Sequence, residues 1–530
     1  MEEKINDPLS GAMPCADRRR ILYRCLITAA AVGILAHSFM LFNKIGWHDE
    51  FRHTFDVGAT YPSGRWALGF LAFLVRNIFG MTVSLPVFNG FASLLFIALS
   101  AWLVILRFEI RRTADQILIT ALMISFPVVT ATFSYIFTAP YYFFSLLCAT
   151  AGAYLITGAR TIPRTAAAVG LLAFSMGIYQ AYIASAVCFV FCCLLVRGLD
   201  GNADAKRWIL SCLSAAAALA AGLLLYLVLN RLILHWKGLE MGSYQGLDSM
   251  TRFGPAEILK GIGRCYIAFA KLFVRGYQGI FYLLSTRAVL ALLCLATFLE
   301  IVILARARVK TPLQGILIGL MLAVSPVVLQ MIELMTANSG GSAAVHTLMV
   351  YSLVYLFILP VALLRELESL PGKKTPLRIR RAVVCALAFF TVYFTFYANA
   401  AYFKAWIYKE QAEQFYNRLI VRVESEEGYD PEMKIALVGN FDERYYTHYP
   451  ELDPIRITFY QRETLISNNA PGNRDLQTFF RYYNNFTPRL LTEDQSVRYA
   501  DVPEVREMPC YPADGSVKII GDTVVVRLSP

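Results

Sequence analysis

Apolar residues run along this chain in blocks of about twenty, parted by short polar stretches. A membrane-crossing helix needs roughly 20 apolar residues to span a hydrocarbon core about 30 Å thick. Nine blocks meet that length: 21–42, 84–106, 116–137, 139–158, 208–230, 286–305, 313–332, 345–364 and 382–402. A tenth, from Thr165 to Val196, is too long for one span and short for two. Its middle reads Gly177-Ile-Tyr179-Gln180-Ala-Tyr182, which predicts two short helices meeting at a polar tip. Such a break is tolerated in a bilayer where neighbouring helices shield its backbone. The pattern predicts a polytopic α-helical membrane protein of about eleven spans.

Three stretches break the pattern: 43–83, 231–285 and 403–530. From Trp66 to Phe79, Ala67, Phe70, Leu71, Leu74 and Ile78 share one helical face. Between Ile258 and Leu283, aromatic residues mix with Lys260, Arg264, Lys271 and Arg275. Both read as helices lying in the membrane interface. After residue 403 the hydropathy falls. Lys404 to Val423 predicts a helix, and Lys434 to Gly439 a buried strand. Ser516–Ile520 and Thr523–Arg527, joined at Gly521-Asp522, predict a hairpin. The organisation expected is a cytoplasmic segment 1–20, a membrane body 21–402 with outer loops 43–83 and 231–285, and a small α/β domain 403–530.

Composition agrees: 57% of residues are hydrophobic and 16% charged, which excludes an ordinary soluble domain. The net charge of +11 is unevenly spread. The stretch from Phe403 onward holds 15 Lys and Arg against 20 Asp and Glu, so the basic excess lies upstream. There it gathers in the loops at Arg107–Arg112, Arg160–Arg164, Arg197–Arg207, Arg306–Lys310 and Arg365–Arg381. Basic loops stay in the cytoplasm. With Arg18-Arg19-Arg20 inside, every cluster falls inside only if 165–196 crosses twice. The charge therefore sets topology and is no signal for nucleic acid. The N-terminal run is too long for a cleaved signal and reads as a signal anchor. The 11 cysteines show no CxxC pair or metal-ligand spacing, and most lie in apolar runs as small hydrophobes.

On this topology His48-Asp49-Glu50 emerges at the outer boundary just after the first span, followed by Tyr61-Pro-Ser-Gly-Arg65-Trp66. Carboxylates at a membrane surface suit chemistry on a lipid-linked substrate. Asp49 or Glu50 could serve as a base. Arg65 could grip a phosphate through its planar fork of donors, with Lys237, Arg252 or Arg275 sharing the role. His48, Tyr179 and Gln180 are candidates for a sugar or acceptor pocket. Each has a bland reading too. The carboxylates could cap a loop, the cations could anchor lipid headgroups, and Tyr179 and Gln180 could simply pack helices. His48 and His53 with the carboxylates form a weak metal candidate, so no cofactor is expected.

The order of Asp49-Glu50, Ser63-Gly64-Arg65-Trp66, Ser84-Leu-Pro86, Gly177-Ile-Tyr179-Gln180 and Met508-Pro-Cys-Tyr511-Pro-Ala-Asp-Gly515 resembles the bacterial glucosyl transferase II family, related to the glucosyltransferases that decorate O-antigen. The resemblance implies a GT-C-like membrane body with its active site on the extracytoplasmic face of the bacterial inner membrane. It implies a polyprenyl-phosphate sugar donor, a polysaccharide or other glycopolymer acceptor, and no nucleotide sugar. It places the family's acidic residues of the first outer loop at Asp49 and Glu50. The rival readings are a flippase or transporter of lipid-linked saccharides and a membrane-anchored binding protein. Transporters often carry internal repeats and midplane ionisable groups. This chain shows no repeat, and Glu300 lies near the cytoplasmic end of its span.

Overall fold

The structure is a computed structural model and describes residues 14–45, 49–200, 204–242, 254–336, 345–370, 375–441, 447–457 and 474–530. In chain order the helices are α1 (Cys15–Phe42), α2 (Asp49–Arg52), α3 (Trp66–Phe79), α4 (Pro86–Arg107), α5 (Thr113–Ser125), α6 (Pro127–Phe133), α7 (Ala139–Ile156), α8 (Ile162–Ile178), α9 (Tyr182–Gly198) and α10 (Ala205–Lys237). There follow α11 (Pro255–Val274), α12 (Leu284–Arg308), α13 (Pro312–Leu329), α14 (Met331–Met335), α15 (Tyr355–Glu368) and α16 (Thr375–Glu424). The last are α17 (Arg474–Tyr483), α18 (Glu493–Ala500) and α19 (Pro503–Glu507). Prolines set many of the starts. Pro86, Pro127, Pro140, Pro163, Pro255 and Pro312 stand in the first two positions of α4, α6, α7, α8, α11 and α13, where a missing N–H costs nothing.

The chain divides into two compact units. The first holds residues 1–42, 55–399 and 456–458, and the second 43–54, 400–455 and 459–530. Among the described residues eight helices are long and apolar enough to cross a membrane, so the chain is a polytopic, mostly helical membrane protein. The expected eleven is not reached by length alone. The tenth block does form two helices, but α8 and α9 have 17 residues each. The block 345–364 is not one span. It starts in two 3₁₀ turns and becomes α-helical only at Tyr355. The block 116–137 breaks at Phe126, because Pro127 cannot donate to the α5 ladder. The helices expected at 382–402 and 404–423 are one continuous 50-residue helix, α16. No Gly or Pro stands between them to stop it.

Within the first unit the basic clusters meet at one end of the bundle. Arg365 pairs with Glu109 (2.7 Å), Arg112 with Glu368 (3.0 Å), Arg380 with Asp115 (2.8 Å) and Arg308 with Glu366 (2.7 Å). Arg107 donates to Tyr154 O (2.7 Å) and Arg197 to Thr157 O, covering the exposed carbonyls at the C-terminus of α7. Five loops distant in sequence are thereby tied together. Helix α8 leaves this end at Arg164 and arrives at Tyr179, roughly 22 Å away at 1.5 Å per residue.

The second unit contains a four-stranded sheet of order β2-β1-β4-β3, with β1 Lys434–Val438, β2 Arg489–Leu490, β3 Val517–Ile520 and β4 Thr523–Arg527. Strand β1 runs parallel to β2 and β4, and β3 and β4 form the expected hairpin. Ala436, Val438, Val505, Met508 and Val525 form the core on one face. The α18 start carries a capping box, Thr492 with Gln495.

Candidate active site

One group of the first unit's polar side chains converges at the α8–α9 break. Its backbone is satisfied from α7: Ser145 Oγ donates to Ser175 O (2.8 Å) and lies 3.4 Å from Tyr179 O. The ring of Tyr179 stacks on Tyr142 of α7, with centroids 4.1 Å apart and planes 11° from parallel. Both rings are buried. The Arg65 guanidinium lies 5.8 Å from the Tyr142 ring centre and 5.6 Å from that of Tyr179, within cation–π range.

Arg65 reaches that position through a tight turn. Tyr61–Ser63 form a 3₁₀ turn opened by Pro62, and Gly64 follows at φ +76° before α3 begins at Trp66. Gln180 Nε2 donates to Ser63 O (2.7 Å) and to Tyr226 Oη (3.0 Å), and Tyr226 Oη donates to Gly64 O (3.3 Å). A β-carbon at Gly177 would fall 2.6 Å from the Trp66 indole, so the absence of a side chain there lets α3 seat on α8. Lys237, at the end of α10, holds its Nζ 4.3 Å from the Tyr61 ring centre.

The structure thus gathers Arg65, Tyr179 and Gln180 into one cluster, with Lys237 on the aromatic ring of the same turn. Gln180 is 8% exposed and its amide is engaged by the turn. Arg275 caps the C-terminus of α11 and is exposed. His48 and Arg252 lie outside the described residues. Tyr142 and Tyr226 belong to the cluster but escape sequence reasoning. The signal for Tyr226 is its place with Asn230, four residues on, as the polar positions on the buried face of an otherwise apolar helix.

The carboxylates of the loop that follows α1 belong to the second unit. Asp49 opens α2, is half-buried, and its carbonyl accepts from His53 N (2.9 Å). Glu50 is 0% exposed, and its Oε1 accepts from Lys44 Nζ. The two neighbours therefore differ. Glu50 is buried and paired with a half-exposed Lys44, whereas Asp49 is only half-buried. No group of three or more His, Cys, Asp or Glu able to hold a metal occurs among the described residues.

A second polar cluster in the first unit was not singled out from sequence. Glu333 of α14 accepts from Tyr277 Oη (2.6 Å) and pairs with Arg264 Nη2 (3.0 Å). Burial and the Glu333 carboxylate hold the Tyr277 phenol well above its ordinary pKa, so it stays a neutral donor.

A search of curated proteins returned no match. Residues 38–357, more than half the chain and including Asp49, Arg65, Tyr142, Tyr179, Gln180 and Tyr226, match the family model described as Glucosyl transferase GtrII. The chain therefore belongs to the GtrII glucosyl transferase family, and is a membrane glycosyltransferase.

Proposed function

We propose that this protein transfers glucose from a polyprenyl-phosphate carrier to a glycopolymer at the outer face of the bacterial inner membrane, as a GT-C-type enzyme. The observation that carries this reading is the Arg65 guanidinium, fixed over the Tyr142–Tyr179 pair. It lies at the end of the first unit remote from the basic clusters. If those clusters face the cytoplasm, Arg65 is at the outer boundary. A guanidinium there matches the phosphate of a lipid carrier bidentately.

Asp49 takes the proton from the acceptor hydroxyl as its oxygen attacks the anomeric carbon. The bond from that carbon to the carrier phosphate breaks, and the electron pair leaves with polyprenyl phosphate. Arg65 stabilises the charge that develops on the leaving phosphate. Lys237, and among the remaining cations Arg275 and Arg252, are secondary candidates for the same anion. Glu50, buried and engaged by Lys44, is the less accessible of the two carboxylates. The N-terminus is cytoplasmic and the second unit's sheet extracytoplasmic in this reading.

Lysine at position 65 tests it. Lysine keeps the charge that a headgroup anchor needs, but cannot reproduce the planar fork. Arg65→Lys should raise the apparent KM for donor or lower kcat with normal expression and insertion. Unchanged kinetics would leave Arg65 as an anchor and remove the principal support for the reading.

A further inference from the structure

We propose that Tyr226, acting with Gln180, is a positioning residue that aims Arg65 at the donor phosphate. This rests on the assignment of Arg65 to that phosphate. Arg65 is preceded by Ser63 and Gly64, and both of their carbonyl oxygens are held by side chains from elsewhere in the bundle. Gln180, at the α8–α9 break, takes Ser63 O, and Tyr226 of α10 takes Gly64 O. The peptide group is planar, so fixing those two oxygens fixes the two peptide planes that flank Gly64. Glycine is otherwise free to exchange between left- and right-handed conformations. Here it is held at φ +76° and ψ 13°. The second plane also carries the backbone nitrogen of Arg65, so its orientation sets where the Arg65 side chain leaves the chain.

The two latch residues are coupled, since Gln180 Nε2 also donates to Tyr226 Oη (3.0 Å). The latch fixes the backbone of the turn, and stacked Tyr142 and Tyr179 receive the guanidinium. Tyr226 is 3% exposed and meets the turn at the Gly64 carbonyl, so it acts through Arg65. A network that only stabilised the bundle would have no need to end on the two carbonyls immediately before the one arginine of this turn.

The test is a double-mutant cycle on the full-length protein in nanodiscs, with polyprenyl phosphate as the probe and its Kd as the readout. Arg65→Ala should weaken binding. Tyr226→Phe removes one hydroxyl and should weaken it about fivefold in the presence of Arg65. In the Arg65→Ala background Tyr226→Phe should change Kd less than twofold, because the group it aims is gone. Gln180→Leu, scored the same way, stands in if Tyr226→Phe does not fold. Equal loss in both backgrounds, or no loss with Arg65 present, overturns the positioning role and leaves the Arg65 assignment standing. No effect of Arg65→Ala alone overturns that assignment and the inference with it.

Discussion

Gly64→Ala is the smallest change that should disarm the site. Two costs follow from the structure. Gly64 sits at φ +76°, where a side chain costs about 1–2 kcal/mol. An added β-carbon would also lie 2.2 Å from Tyr226 Oη and 2.8 Å from Gln180 Nε2, inside contact distance of both latch groups. Those groups must withdraw, weakening hydrogen bonds to Gly64 O and Ser63 O worth about 1 kcal/mol each. Together the penalty is about 3–4 kcal/mol. It can be met by local rearrangement of the turn, which moves Arg65 off the tyrosine pair. The protein should therefore insert and remain folded, with a modestly lower Tm and a donor KM raised at least tenfold. Purified variant and wild type would be compared by thermal melting and by steady-state transfer with varied donor. Wild-type Tm and donor KM together would refute the reasoning, since the turn would then tolerate what its geometry forbids.

Three further outcomes are expected. Asp49→Asn should lose on the order of 100-fold or more in turnover while inserting normally. Glu50→Gln should be milder in turnover and lower in stability, because it strips the negative charge from the pair with Lys44; the reverse order would swap the two roles. A cysteine at the exposed Val497 of α18, in a Cys510→Ser background, should label with an impermeant reagent in intact cells, whereas exposed Cys15 should label only after permeabilisation; labelling of position 497 only after permeabilisation would invert the topology. Gly177→Val should push the Trp66 indole off α8 and reduce donor affinity, and an unaffected variant would show that this contact does not hold the Arg65 turn.

Much of the membrane body is legible in the sequence because lipid leaves few choices. Apolar length fixes where helices run, and basic loops fix which ends meet. The α8–α9 break was readable because a largely apolar block of 32 residues fits neither one span nor two full ones. The amphipathic stretch Trp66–Phe79 appears as helix α3 with the bounds expected of it. The break at Phe126–Pro127 and the 3₁₀ start of the 345–364 block were less legible. Hydropathy counts apolar residues and is blind to the missing donor of a proline or to a tighter winding. Of the candidate site, Arg65, Tyr179 and Gln180 could be named because polar residues in a membrane chain are few. Their partners could not. Tyr142 and Tyr226 lie 77 and 161 residues from Arg65, and only the packing of α7 and α10 brings them to it. The unequal settings of Asp49 and Glu50 were equally hidden, since adjacent carboxylates look alike until one of them is seen to be buried and paired with Lys44.

The central claim is that a glucosyl group moves from a lipid phosphate. Purified protein in nanodiscs, given polyprenyl-phosphate [14C]glucose and an acceptor glycopolymer, measures it directly. Label should pass to the polymer with no nucleotide sugar present, and Arg65→Lys should slow that transfer. Transfer from UDP-glucose by the purified protein, with none from the lipid donor, would contradict the account.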